Sequence, residues 1–417
     1  MKIKVRNTYE NLYLFLIVIL MFSYAGIIAS YKSCTVFSNF VLLLIIFEVY
    51  RRKIKLIKIE KSWIVLAIYM SLILIFNFPK SSLYLLLFIL GIFILHKKNT
   101  ENYFNKLIRV CKIISTILAT SILVQWLLPD LFYKFAQKYY FYSNQYEMVY
   151  NSGMIAHKYS GLIYEVSFAA FVLSIGFACY FSDMICKKVK TKWSMLALMY
   201  IYFAIILTDK RSFILIVPSI VCIVTVIFEM KKISIKYIII FFVVLFLLLF
   251  NINTIISIVS NILSDGTETV LQLSSRDKYW NIILDMIKQS PLIGTGLNSF
   301  DHYFNLAHIK SIHLEFVGAH NSYLQIIAEM GFIGAVLYFT NIIKICFRAI
   351  KILNIYRISN NENLNKVVIS LFILLVCSLY ALTGNVFHQP QQLITFFVFG
   401  NIIINEYENL KMQRFNI

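Results

Sequence analysis

The sequence predicts an all-α polytopic membrane protein with about 12 transmembrane helices and one large outer loop containing amphipathic helices. Three observations lead there. Of 417 residues, 60% are hydrophobic and only 14% charged, against roughly 45–50% and 25% in soluble domains. Mean hydropathy is +0.76, too apolar for the polar surface that a water-soluble body of this size needs. At about 20 residues per membrane helix, twelve spans fill much the same share of the chain as its hydrophobic residues do. A soluble enzyme, a disordered tail and a disulfide-stapled secreted domain are thereby excluded.

Apolar runs bounded by charge place the spans at about 11–30, 34–50, 63–79, 82–96, 108–128, 158–182, 193–209, 212–229, 236–260, 322–346, 367–384 and 391–405. The first is read as a span and not a cleaved leader, because no small-residue cleavage site follows its basic start. Spans one to nine occupy 1–260. The large loop covers 261–320, and the last three spans with a tail occupy 321–417. A shorter loop covers about 129–157. Prolines number five, so few kinks are forced.

The net charge of +19 would suggest nucleic acid in a soluble protein. Here its location gives it another meaning. With the N-terminus cytoplasmic, 28 of the 39 Lys and Arg fall on the cytoplasmic side and 11 on the other, as the positive-inside rule expects. Both termini are then cytoplasmic and both long loops lie outside, and no nucleic-acid partner is implied.

Cations on the outer face run against this trend and need a reason. Lys210 and Arg211 sit in a polar hinge, Thr208-Asp209-Lys210-Arg211-Ser212. Snorkelling at an interfacial turn is one reading, and an anion site built on the Arg fork is the other. Arg276 opens a segment in which Trp280, Ile282, Ile283, Met286 and Ile287 recur at helical spacing, an amphipathic helix at the outer interface. Ser274 and Ser275 are plausible N-caps for it. An Arg at that helix start adds charge where the dipole is already positive, which favours a bound anion.

Two carboxylates fall inside predicted spans. Glu165 and Glu329 lie seven and eight residues in, about 10–12 Å below the outer surface at the helical rise. Such groups face a cavity or a partner, or form an internal structural pair. Of seven histidines, His302, His308, His313 and His320 lie in the outer loop. Their spacings do not make a metal site, and none is assigned. The seven cysteines are scattered without a C-x-x-C pair and read as small core residues. His320 differs from the other histidines because it stands where the loop becomes span ten, with Asn321 or Ser322 as helix cap. An imidazole at that mouth suits a general base.

The stretch Ala319-His320-Asn321-Ser322-Tyr323-Leu324-Gln325-Ile326-Ile327-Ala328-Glu329-Met330-Gly331-Phe332-Ile333-Gly334 strongly resembles the signature of the bacterial O-antigen polymerase and O-antigen ligase superfamily. Ser275-Arg276 through Trp280, followed by Ser290-Pro291-Leu292-Ile293-Gly294-Thr295-Gly296-Leu297-Asn298-Ser299-Phe300, is similar to the segment these proteins carry in their large outer loop. Gly161-Leu162-Ile163-Tyr164-Glu165-Val166-Ser167-Phe168 looks like the polymerases' Gly-x-x-x-Glu-Pro-Ser stretch, with Val166 where Pro is common. Asp209-Lys210-Arg211-Ser212 stands where a Ser-Arg-Gly-like turn is common, and it retains Arg211. The resemblance is specific over about 275–334 and elsewhere is one of hydropathy.

The resemblance implies a GT-C-type, metal-independent, inverting glycosyltransferase without cofactors, in a bacterial cytoplasmic membrane. Its donor would be an oligosaccharide on a polyprenyl diphosphate, handled among membrane lipids at the outer face. His320 would be the general base, with Arg211, Arg276 and Lys210 on the diphosphate. Glu165, Asn321, Tyr323, Gln325 and Glu329 would be weaker candidates for sugar or acceptor contacts. A chain-length regulator is the partner the family suggests. The leading expectation is a repeat-unit polymerase for O-antigen, capsule or a related glycan. The alternatives are ligase-type transfer of a finished glycan to a lipid or wall acceptor and, in another class, a flippase for lipid-linked oligosaccharide.

Overall fold

The computed structural model describes residues 2–22, 56–76, 81–140, 143–186, 191–229, 269–306, 318–359 and 362–415. The predicted spans at 34–50 and 236–260 lie outside the described residues. Within them the protein is helical: α1 Lys2–Met21, α2 Lys61–Ile73, α3 Ser81–His96, α4 Glu101–Leu127, α5 Pro129–Tyr139, α6 Ser143–Tyr150, α7 Val166–Ile185, α8 Thr191–Leu207, α9 Arg211–Glu229, α10 Thr269–Gln289, α11 Phe300–Leu306, α12 Ser322–Ser359, α13 Leu364–Tyr380 and α14 Pro390–Phe415. Among the described residues, four helices are long and apolar enough to cross a membrane (α4, α7, α9 and α12), and five apolar helical stretches are shorter. The chain is thus an all-α membrane protein.

The helices that start and stop where the sequence says do so for local reasons. Thr100 caps α4 by accepting the Tyr103 N–H at 3.2 Å, and Pro129 opens α5 at a position where its missing N–H is not needed. Helices α7 and α13 are buried almost all round, the pattern of central helices with no lipid-facing stripe. Around α13 pack α7, α9, α12 and α14, while α3 lies against α14. Packing inside a bilayer gains little from the hydrophobic effect, so close fit and hydrogen bonds hold such a bundle together. The bonds between Ser115 Oγ and the Val172 carbonyl (3.0 Å) and between Ser182 Oγ and the Asn365 carbonyl (2.8 Å) are of this kind.

Three expectations are corrected. Glu165 is not seven residues into a span: 157–165 is loop, and Glu165 is the residue before α7, with extended backbone. The turn is held instead by Gln125 Oε1, which accepts the Ser160 and Gly161 N–H groups at 3.0 and 2.8 Å. Span ten runs on to Ser359 and is broken at Gly331 (φ 65°, ψ 180°), so Glu329 sits in a short helical piece ahead of the break. Helix α10 begins at Thr269, five residues before Ser274. Ser274 and Ser275 are therefore internal to it and Arg276 is not at its start, which removes the dipole argument for that residue.

Candidate functional site at the start of α12

Six helix ends meet where α12 begins: the starts of α7, α9, α12 and α14 and the ends of α8 and α13. Asn321 caps α12, its Oδ1 accepting the Tyr323 and Leu324 N–H groups at 3.1 Å each. Ser322 N donates to the carbonyls of Ala381 (2.8 Å) and Gly384 (3.1 Å), tying this start to the turn between α13 and α14. Phe213, two residues beyond Arg211, packs on Tyr380 with ring centroids 4.4 Å apart, so the start of α9 abuts the same turn.

The break at Gly331 explains the glycine-rich segment between α10 and α11. A helix interrupted there leaves carbonyls without partners. Those of Ala328 and Glu329 accept Thr295 N (3.0 Å) and Gly296 N (2.9 Å), and that of Met330 accepts the Tyr69 hydroxyl (2.8 Å). In return Phe332 and Ile333 N donate to Pro291 and Leu292 carbonyls. Gly294 and Gly331 both have positive φ, and a Cβ at either would stand 2.2–2.3 Å from a backbone oxygen. Only glycine fits this approach. Helix α10 packs on this dock through Ile283 and Met286, which cluster with Phe300, Phe304, Ala319 and Ala328.

Behind that dock lies a buried polar group centred on Glu329, which is 1% exposed. Its Oε1 accepts Gln325 Nε2 at 2.8 Å, and its Oε2 accepts Asn298 N at 2.8 Å and His388 Nε2 at 3.2 Å. The His388 ring stacks on Tyr84 of α3 at 5.4 Å with 9° between planes. Gln325 Oε1 in turn accepts Ala319 N at 3.3 Å.

His320 is exposed, beside this buried group. Its backbone is left-handed (φ 54°), a conformation costing a non-glycine residue about 1–2 kcal/mol. Its N–H donates to Asn385 Oδ1 at 2.8 Å. The ring lies 5.9 Å from that of Tyr279 in α10, one turn beyond Arg276. The imidazole is thus held by backbone while its edge remains open to solvent.

The cationic turn precedes α9, whose start abuts the α13–α14 turn that holds His320. Asp209 is also left-handed (φ 50°), and Thr208 Oγ1 accepts the Lys210 N–H at 3.3 Å. Lys158 pairs with Asp209 at 3.7 Å, a half-exposed pair of little energetic weight. Arg211 is exposed at the first position of α9. Burial pushes the Glu165 carboxyl above its ordinary value, with the Lys210 charge and a hydrogen bond with Gln389 pulling the other way. Glu165 thereby joins the cationic turn to the α13–α14 turn.

Of the residues singled out by sequence, the structure groups His320, Asn321, Gln325 and Glu329, and sets Glu165 with Lys210. Gln325 and Glu329 are buried and face each other. Tyr323 donates to the Ser378 carbonyl at 2.8 Å and packs on Phe339 and Phe387. Residues that the sequence reading passed over complete the site: Asn298, Asn385, His388 and Gln389. A His and several amides at 384–392 between two apolar runs carried the signal, because such groups at membrane depth need partners. Among the described residues no group of three His, Cys, Asp or Glu side chains is placed to hold a metal ion. An apolar hollow of about 360 Å³ lies between α4, α5 and Leu162, lined by Ile117, Ser121, Val124, Phe132 and Phe135.

Among curated proteins, none matches the chain. A family model described as O-antigen ligase matches residues 195–339, a stretch that takes in the cationic turn, α10, the glycine-rich dock, His320 and the break in α12. That match supports placing the chain in the O-antigen polymerase and ligase superfamily.

Proposed function

We propose that the protein is a glycosyltransferase that extends a polysaccharide from polyprenyl-diphosphate-linked oligosaccharide units at the outer face of the cytoplasmic membrane. The observation that carries this reading is His320, an exposed imidazole whose backbone N–H is held by Asn385 in the α13–α14 turn, the turn against which the start of α9, after Lys210 and Arg211, packs through Phe213 and Tyr380. His320 takes the proton from an acceptor sugar hydroxyl as that oxygen attacks the donor's anomeric carbon. The bond from that carbon to the lipid diphosphate breaks, and the anomeric centre inverts. Negative charge then gathers on the leaving diphosphate, where Arg211 and Lys210, with Arg276 from α10, supply cations. The apolar hollow beside α4 suits a lipid chain.

Polymerase is favoured over ligase by the Gly161–Phe168 stretch, whose Glu165 stands beside Lys210. Purified protein with lipid-linked repeat units tests the reading. His320→Ala is expected to lower chain extension by about 10²–10⁴-fold while donor binding persists. Full extension by that variant would overturn the assignment. A product in which one finished chain is moved to a different lipid acceptor would show a ligase.

A further inference from the structure

Glu329 is buried too deeply to meet a sugar, yet it gathers three hydrogen bonds from three segments. We propose that Glu329 is a positioning residue whose carboxylate fixes the backbone of Ala319 and His320, and so the direction of the His320 imidazole. This rests on the reading of His320 as the base. Two consecutive peptide N–H groups are held there, and each path leads to Glu329. The Ala319 N–H is held by Gln325 Oε1 (3.3 Å), and Gln325 Nε2 is held by Glu329 Oε1 (2.8 Å). The His320 N–H is held by Asn385 Oδ1 (2.8 Å). Asn385 shares its turn with His388, whose N–H donates to the Asn385 carbonyl at 2.9 Å and whose ring donates to Glu329 Oε2. The third bond, from Asn298 N, anchors the glycine-rich dock to the same oxygen.

The chemistry of the group explains why a carboxylate stands there. Four hydrogen-bonding groups converge on one buried point, and three of them, Gln325 Nε2, Asn298 N and His388 Nε2, donate into it. Only an acceptor with two oxygens satisfies them all. A left-handed residue such as His320 keeps its conformation only when its surroundings over-determine it. Holding the Ala319 and His320 N–H groups does that through the backbone.

The test uses the full-length purified enzyme with lipid-linked repeat units. Glu329→Gln turns one acceptor into a donor facing other donors. It is expected to lower kcat by about tenfold or more, since small misplacements of a reacting group cost that much, with donor and acceptor KM unchanged. The double variant Gln325→Glu with Glu329→Gln reverses one hydrogen bond and keeps the rest, and is expected to restore most of kcat. In a His320→Ala background, Glu329→Gln is expected to slow the residual rate no further, because the two act through one group. A raised acceptor KM in Glu329→Gln, no rescue by the double variant, or a further loss on top of His320→Ala each overturns the proposal. Should Glu329→Gln not fold, Gln325→Leu cuts the Ala319 path alone. Unchanged kcat in that variant overturns the proposal too, and lowered kcat at constant KM supports it. Full activity of His320→Ala would instead sink the reading of the base and is seen separately.

Discussion

At the end of the bundle where α12 begins, polar side chains hold loops, and at the opposite end they hold helices. Asn401 Nδ2 there donates to the carbonyls of Leu95 (2.8 Å) and Lys97 (2.7 Å), and Asn405 Nδ2 to Lys97 (3.0 Å), closing the end of α3 with side chains of α14. Lys366 reaches Glu101 at 2.8 Å and Asn363 at 2.9 Å, Tyr356 donates to Glu406, and Arg348 pairs with Glu60. Most of these groups are satisfied by one another or by helix carbonyls, and no positive-φ non-glycine residue occurs there among the described residues. At the α12 end His157, Asp209, Asn298 and His320 all have left-handed backbone, and side chains hold the N–H groups of Asn298 and His320. Polar density at membrane depth therefore does not by itself mark the site. Backbone held in costly conformations beside an exposed imidazole is what distinguishes the α12 end.

Two asparagines put this contrast to the sharpest test. Asn385→Leu removes the acceptor for the His320 N–H and is expected to lower extension by about tenfold or more, with little change in Tm. Asn401→Leu takes the side-chain donor from the buried Leu95 carbonyl and one of two from Lys97, and is expected to cost about 1–3 kcal/mol of stability, read as lowered Tm in detergent, with the folded fraction fully active. Equal effects of the two on activity would erase the distinction between the ends.

A smaller effect is expected from Arg211→Ala. On the proposed reading it removes a charge-assisted contact to the donor worth about 1.5–3 kcal/mol, to be seen as a weaker donor affinity at constant Tm. Lys366→Met at the far end, assayed alongside, should leave donor affinity alone. If both weaken it, the cation effect is diffuse and not a site.

The smallest effects are in pH. At Glu60, before α2, burial raises the carboxyl, but the Arg348 hydrogen bond and charge, with His96 and Lys344, outweigh it and hold the value below the ordinary one. A depressed folded value means stability present above the unfolded value and lost as pH falls through the folded one. Glu165 shifts the other way, so its contribution is full below the unfolded value and lost as pH rises through the folded one. Glu60→Gln should flatten the acid limb of Tm against pH, and Glu165→Gln the limb above it. Interchanged results would show that the two carboxylates do not sit in the environments described.

Much was legible from residues alone because its causes are local. Hydropathy found α3, α8, α9 and α13 within a few residues, and of Asn321 and Ser322, the two candidate caps of α12, Asn321 is the one that caps it. Helical spacing found α10, although its start was misplaced: Ser274 and Ser275 have the chemistry of caps, but the backbone carries the helix through them from Thr269. Glu165 was set too deep because 158–165 is apolar enough to pass for helix. What replaces helix there is Gln125, 35 residues earlier in the sequence, offering its side-chain oxygen to two backbone N–H groups.

The composition and the placement of charge by themselves determined an all-α membrane protein, and one short stretch determined which family the chain resembles, because each depends on residue type and spacing alone. Only the tertiary structure decided what Glu329, Asn385 and His388 do. Their partners come from three separate segments, and whether a polar side chain binds a substrate or a neighbour is set by what the fold places within about 3 Å of it. The same packing decided why Gly294 and Gly331 must both be glycine: the segment after α10 and the break in α12 approach until no Cβ fits between them.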